Sequence, residues 1–212
     1  MQPTPADTIL AALRWRYATK QFDPTKKIPD VDLQMLLDSL RLAPSSFGLQ
    51  PWKFYVVVAQ NVKDELLPLS WNQSQVRDCS HLLVLTARKS IDAAYVERFV
   101  DATATTRGTP REKLKGMHDM IVGFAEASPD KLSWSTHQVY IALGMLMHTA
   151  ALLGVDACPM EGIDKAGYDR VLKVDADYTT VVACPLGYRN AADRHATLEK
   201  VRFSAEELFV HV

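Results

Sequence analysis

Leu132–Val155, LSWSTHQVYIALGMLMHTAALLGV, is the longest stretch of the chain without an Asp, Glu, Lys or Arg. Ser133, Ser135, Thr136, His137, Gln138, His148 and Thr149 interrupt it, so its strictly apolar part is too short to span a bilayer. The pattern predicts one long helix, opened at Ser128-Pro129 and closed by Gly154 as a C-cap, buried in the core of a cytoplasmic protein. A helix of about twenty-five residues that is apolar nearly all round needs cover on every side. Two arrangements supply it: a pair of such helices packed across a dimer axis, or one central helix wrapped by its own chain. Spacing alone leaves both open.

Upstream, Thr4-Pro5 predicts the start of a first helix, with Thr4 as N-cap, Asp7 in the first turn and Arg16 near the end. A second helix is expected after Pro29, with Val31, Met35, Leu36 and Leu40 at helical spacing, ending before Pro44. A loop, Ser45-Ser46-Phe47-Gly48-Leu49-Gln50-Pro51, leads into Phe54–Ala59, an apolar run that reads as a strand covered on both faces. His81–Ala87 reads as a second strand. Thr109-Pro110-Arg111-Glu112 has the form of a capping box, opening a helix with Leu114, Met117, Ile121 and Phe124 inward. Downstream of the long helix, Val155–Cys158, Thr179–Leu186 and, weakly, Leu208–Val212 read as strands and Asp164–Lys173 as a helix. Helices outnumber strands and the two are mixed, so the class is α+β or α/β with a covered central sheet.

The 212 residues carry 24 Lys+Arg against 25 Asp+Glu and are 48% hydrophobic. Such a chain buries roughly 70% of the surface it exposes when unfolded, and no linker, repeat or low-complexity tract interrupts it, so one domain spanning 1–212 is expected. A net charge of −1 supplies no global field toward nucleic acid or an anionic membrane. The N-terminus lacks a basic stretch followed by an apolar core and does not read as a secretory signal. Cys79, Cys158 and Cys184 have no CxxC spacing and are expected to be buried and inert, and no Cys/His spacing suggests a metal.

No two of the nine glycines are separated by a single residue, which excludes GxGxxG and a resident dinucleotide on a Rossmann site. Gly162 and Gly167 have phosphate-loop spacing, but Tyr168 stands where the lysine is needed. His137 and His148 lie roughly 16 Å apart along one helix and cannot share a metal. His81 reads as a hydrogen-bonded structural residue. What remains is basic: Arg14, Arg16 and Lys20 near the start, Lys200 and Arg202 near the end. Singly each is a solvated surface charge; together they can hold one phosphate and a second electron-rich group. Periodicity does not show that these ends meet.

Five blocks, in order, carry a family likeness: Arg16-Tyr17-Ala18-Thr19-Lys20-Gln21-Phe22-Asp23; Ala43-Pro44-Ser45-Ser46 through Gln50-Pro51-Trp52-Lys53-Phe54; Pro159-Met160-Glu161-Gly162; Cys184-Pro185-Leu186-Gly187-Tyr188; and Lys200-Val201-Arg202. In this order they resemble the flavin-dependent nitroreductase family. The resemblance implies a three-layer α+β fold with a central, mostly antiparallel sheet flanked by helices. It implies a domain-intertwined homodimer with the long helix at its core, and a C-terminal strand crossing to the partner. It also implies FMN at each of two interface sites. Arg16, Lys200 and Arg202 would clamp the phosphate. Lys20, with Tyr17 and Ala18 beside it, would lie at the N1/C2 edge of the ring, where its charge sets the potential. Pro44, Ser45, Ser46 and Gly48 would come from the other subunit, Asn72 and Gln75 would meet the pyrimidine side, and a backbone N–H of Glu161 or Gly162, in the Pro159–Gly162 turn with Met160, would face N5. Phe124 would overhang the substrate side or, equally, be a core residue.

Ala18 stands where several relatives have serine, removing one hydrogen bond, and Gln75 where some carry a lysine, which would lower the flavin potential. The activity implied is NAD(P)H-dependent, ping-pong reduction of nitroaromatics, quinones or related acceptors, with no side-chain general acid. Alternatives are reduction of a specific metabolite (a pteridine, an enone or a halogenated phenol), a flavin-storing dimer without turnover, or a plain dimerisation module. A 2′-phosphate would need an extra cation, and Arg107, Arg111 and Lys115 are near only in sequence.

Overall fold

The computed structural model describes residues 5–212. Four strands, β1 (Trp52–Val57), β2 (His81–Arg88), β3 (Asp156–Ala157) and β4 (Tyr178–Gly187), form one sheet in the order β1-β2-β4-β3 with every pairing antiparallel. β2 is buried from end to end and β4 nearly so, because each is paired on both edges and covered on both faces. Successive side chains leave a strand on opposite faces. Accordingly Leu83, Leu85, Val182 and Cys184 meet α2 (Asp30–Arg41) and α7 (Lys131–Leu152) on one side. Leu82, Val84 and Ala183 meet Leu66, Val76 and Tyr168 on the other, carried by α3 (Gln60–Leu66), α4 (Gln75–Asp78) and α8 (Lys165–Val171). The result is the three-layer α+β arrangement. α5 (Ala93–Arg107) and α6 (Lys115–Ala127) build a separate cluster around Val96, Val100, Leu114 and Ile121.

Several sequence expectations are corrected. The first strand begins at Trp52 and is an edge strand with Lys53 and Val56 exposed, not one covered on both faces. The capping box at Thr109–Glu112 does not form. Gly108 adopts φ +59° and the Thr109 N–H returns to Ala104 O at 3.0 Å, finishing α5, while Arg111 turns its guanidinium onto Glu97 and Asp101. The long helix starts at Lys131, because Asp130 accepts the Ser133 N–H at 2.8 Å and caps it; Gly154, at φ +70°, ends it as expected. Leu208–Val212 is not a strand in the isolated chain: α9 (Ala205–Leu208) is opened by a Ser204–Glu207 capping box, and residues 201–212 are exposed throughout. α1 (Ala6–Trp15) follows Pro5; the Thr4 cap lies outside the described residues. α3 and α5 were not foreseen.

α7 is buried along Gln138, Val139, Ala142, Leu143, Leu146 and Ala150. Ile141, Met145 and Leu152, spaced one or two turns apart on its other side, are exposed. Its own chain therefore does not wrap it. Among the described residues no helix is long and apolar enough to cross a membrane.

Candidate active site

The segment after α1 is stitched along the β3–β4 edge. The Thr19 N–H donates to Ala157 O at 3.4 Å, Asp23 N–H to Tyr188 O at 2.8 Å and Asn190 N–H to Gln21 O at 2.9 Å. Two buried carboxylates hold it from below. Asp156 accepts Thr19 Oγ1 at 3.2 Å and Arg189 Nε at 2.9 Å. Asp193 Oδ2 accepts the Tyr17 hydroxyl at 2.8 Å and the N–H groups of Lys20 and Gln21 at 2.8 and 3.1 Å; its Oδ1 accepts His195 N–H at 3.0 Å. Burial works against the Asp193 charge, but these donors outweigh it and hold the carboxyl down at about 2. Burial, helped by the Asp193 charge, pushes the Tyr17 phenol up to about 12.

This stitching brings the two ends of the chain together. Arg16 is half-buried, with one guanidinium nitrogen on Met147 Sδ at 3.6 Å and its Nε buried without a partner. Lys200 Nζ caps α1 through Arg14 O at 2.6 Å. Its ammonium is pushed below the usual lysine range by desolvation and then by the positive charges of Arg16, Arg202 and Arg189. Arg16, Lys20, Lys200 and Arg202 enter no ion pair among the described residues. Arg189 differs: it is paired with Asp156 and stacked between the rings of Trp15 and Tyr17 at 4.1 and 4.6 Å.

The Pro159–Gly162 turn lies beside them, and the Cys158 thiol, held protonated chiefly by burial, also senses Lys20, Asp193 and Arg16. Met160 pairs with Ala183 through both backbone groups. Glu161 is exposed and its carboxylate accepts the Tyr140 hydroxyl from α7. At Gly162 a Cβ would sit 2.7 Å from the Trp71 ring, so only glycine lets the indole and the turn approach this closely. Trp71 and Asn72 are both left-handed, at φ +54° and +56°, which is strained for residues with side chains. Asn72 is exposed next to this contact, whereas Gln75 is buried at the head of α4.

Pro44, Ser45, Ser46 and Gly48 lie elsewhere. Ser46 N–H donates to Gln138 Oε1 at 2.9 Å, Phe47 is left-handed at φ +57°, and Gly48 takes φ +77°. The Phe47 ring meets Phe124 at 5.2 Å, which meets Trp134 at 5.1 Å, so Phe124 is an aromatic partner of this loop. Gln138 and Met147 are nine residues apart on α7, roughly 14 Å along the axis. The loop and the Arg16 cluster therefore attach at different levels of the helix. Cys79, Cys158 and Cys184 are free and buried, and His81 bonds Ser80 Oγ through Nδ1 at 3.0 Å, as expected.

Sequence reasoning missed Asp193, Asp156, Tyr140 and Trp71. The first two are acidic residues in loops or at strand ends, and only the contacts across the sheet reveal them.

Arg16 with its unpartnered buried Nε, Lys20 and Lys200 without a carboxylate partner among the described residues, and the Pro159–Gly162 turn beside them offer positive charge and N–H donors to an anionic group. The sequence profile of the nitroreductase family matches residues 13–188. A Staphylococcus haemolyticus protein assigned by name to the NAD(P)H nitroreductases is 34% identical over 95% of this chain and 96% of its own. The fold matches a Bacillus subtilis crystal structure assigned as a nitroreductase, with TM-score 0.88 at 22% identity over 98% and 100% of the two chains. It also matches an Exiguobacterium sibiricum structure, assigned likewise and solved in complex with FMN, with TM-score 0.81 at 23% identity over 100% and 99%. The chain belongs to the nitroreductase family, and hence to the oxidoreductases.

Proposed function

We propose that the protein is a homodimeric, cytoplasmic reductase that binds FMN and uses NAD(P)H to reduce nitroaromatics, quinones or related small acceptors by a ping-pong mechanism. The observation that carries this reading is the meeting of the two ends of the chain: Lys200 Nζ sits on Arg14 O at 2.6 Å, two residues from Arg16, whose buried Nε has no partner. Charge-assisted bonds to a phosphate satisfy such a group, and these residues fit the FMN phosphate. Bound FMN supplies the hydride chemistry, which no side chain here provides.

This chain's residues bind and orient. Lys20 offers a positive charge at the ring's N1/C2 edge, with Tyr17 and Ala18 beside it. Glu161 and Gly162 offer backbone N–H groups from a turn fixed by Met160 and Trp71. Asn72 offers its amide from the exposed side; Gln75, being buried, acts by packing. Pro44, Ser45, Ser46 and Gly48 serve the partner's site, a reading supported by the separation along α7. The uncovered stripe of Ile141, Met145 and Leu152 supports the dimer, as do exposed Leu10, Leu13, Val31 and Met35 on α1 and α2. Phe47, Phe124 and Trp134 line the acceptor side. The 212 residues act as one domain, and three unpaired cysteines suit a reducing compartment.

The test is an anaerobic visible spectrum of the purified protein, before and after one equivalent of NADPH and then NADH. A yellow protein that bleaches within mixing supports the reductase, and the faster coenzyme identifies the donor. A yellow protein that neither reduces points to flavin storage or to a different electron donor. A colourless protein that takes up no added FMN overturns the reading.

A further inference from the structure

The Pro159–Gly162 turn carries one ionisable side chain, and that side chain makes an unexpected choice of partner. Met160 is locked into a backbone pair with Ala183, and the exposed Trp71 ring lies against Gly162. Ile163 N–H closes onto Glu161 O at 2.8 Å. The backbone of the turn is thus held from two sides. Only the Glu161 side chain is free to swing, and it is exposed. Although Lys20 and Arg16 act on Cys158 at the head of the turn, Glu161 enters no ion pair among the described residues. It accepts the hydroxyl of Tyr140 instead, on the long helix α7.

Two turns along the same helix, roughly 10 Å away, Met147 receives Arg16. A carboxylate free to reach that cluster would compete with an anionic ligand for its cations. One free to lean over the turn would oppose any negative charge that a bound cofactor gains on reduction. The Tyr140 phenol is itself pushed upward, by burial first and then by the Glu161 carboxylate, so it stays a donor across the working pH range.

We propose that Tyr140 is a positioning residue that holds the Glu161 carboxylate against α7, so that the turn presents its backbone N–H groups, and not that charge, to the cofactor. This rests on the flavin reading above. Tyr140 acts through Glu161, and its benzyl ring packs independently of the hydroxyl, so Tyr140→Phe removes the restraint while keeping the fold.

The test joins two readouts. In cofactor-free protein labelled with 13Cζ-tyrosine, Glu161→Gln is expected to shift the Tyr140 13Cζ resonance at neutral pH, since the charge-assisted hydrogen bond from its hydroxyl is lost; a Tyr140 resonance indifferent to Glu161→Gln overturns the contact. With FMN, the dissociation constants of the oxidised and reduced cofactor are measured for wild type, Tyr140→Phe, Glu161→Gln and the double variant. Tyr140→Phe is expected to weaken reduced FMN relative to oxidised by roughly three- to tenfold, the effect of one poorly screened charge at this range. The same change in the Glu161→Gln background has no effect. A Tyr140→Phe effect that persists undiminished without the carboxylate, or no effect in either background, overturns the positioning role alone. A wild-type protein that binds no FMN overturns the flavin reading and this role with it.

Discussion

The hydroxyl of Tyr17 donates at 2.8 Å to a buried carboxylate of Asp193, one hundred and seventy-six residues later in the chain. That single oxygen also receives the N–H groups of Lys20 and Gln21. It therefore sets the path of the segment that carries Arg16 and Lys20. A carboxylate held at about 2 against an ordinary 3.8 stabilises the fold by about 2 kcal/mol. Because the folded value is the lower one, this contribution is complete above about pH 4 and vanishes as pH falls through about 2. Denaturant titrations of wild type and Asp193→Asn at pH 6 and pH 2 should therefore differ by about 2 kcal/mol less at the lower pH. The Tyr17 phenol of the variant should titrate below about 12, yet above the free value because burial remains. An unchanged Tyr17 titration would remove Asp193 from this role.

Arg16 should act on the phosphate and on little else. Its buried Nε has no partner and its other contact is a thioether, so truncation leaves no carboxylate stranded. Arg16→Ala is expected to weaken FMN binding roughly 10- to 100-fold, the worth of one or two charge-assisted hydrogen bonds, and riboflavin binding hardly at all. Equilibrium dialysis with both ligands checks it. Equal losses for the two would mean that Arg16 supports the segment and not the phosphate.

The elements most legible in the sequence were those with a clean signal. β2 and β4 are continuous apolar runs, and α2 and α7 are bounded by Pro29 and by Gly154. α5 stayed hidden because its face is mixed: Tyr95, Val96, Val100 and Thr103 are buried, but Glu97, Arg98 and Asp101 interrupt the pattern. The false capping box at Thr109–Glu112 failed because the hydrogen-bonding capacity of those residues was spent on α5 instead. Leu208–Val212 has the alternation of a strand but pairs with no sheet edge of its own chain. Of the site, sequence pattern singled out the basic residues, and the family resemblance the glycine turn. It could not reach Asp193 or Tyr140, whose roles exist only through contacts with residues far away in sequence.

Gly162 offers a more local test. A methyl there would lie 2.7 Å from one atom of the Trp71 ring and 2.9 Å from the next. Either the indole or the turn must then move, and Trp71 already sits in a strained left-handed conformation. Gly162→Ala is expected to shift the Trp71 emission and to reduce FMN affinity several-fold, while Trp71→Ala in the same chain restores the affinity. If the double variant is no better than the single one, the backbone of the turn itself cannot carry a side chain.

The exposed face of α7 makes the last prediction. Met145 is 41% exposed in the middle of a helix whose other side is core, with Ile141 and Leu152 flanking it at 43% and 42%. Contiguous apolar surface of this kind is costly to leave in water, and covering the remaining exposed part of each side chain contributes about 0.6–1.2 kcal/mol. If two copies pair across this stripe, Met145→Glu places two carboxylates against each other at the axis, where desolvation and repulsion add. Sedimentation velocity at micromolar concentration should then report a dimer for wild type and a folded monomer for the variant. The monomer should also lose FMN, since the Pro44–Gly48 loop of the other subunit would be gone from the site. A monomer that keeps full FMN affinity would place the whole binding site within one chain. A variant that remains dimeric would move the interface to α1 and α2, where Leu13 and Val31 stand exposed.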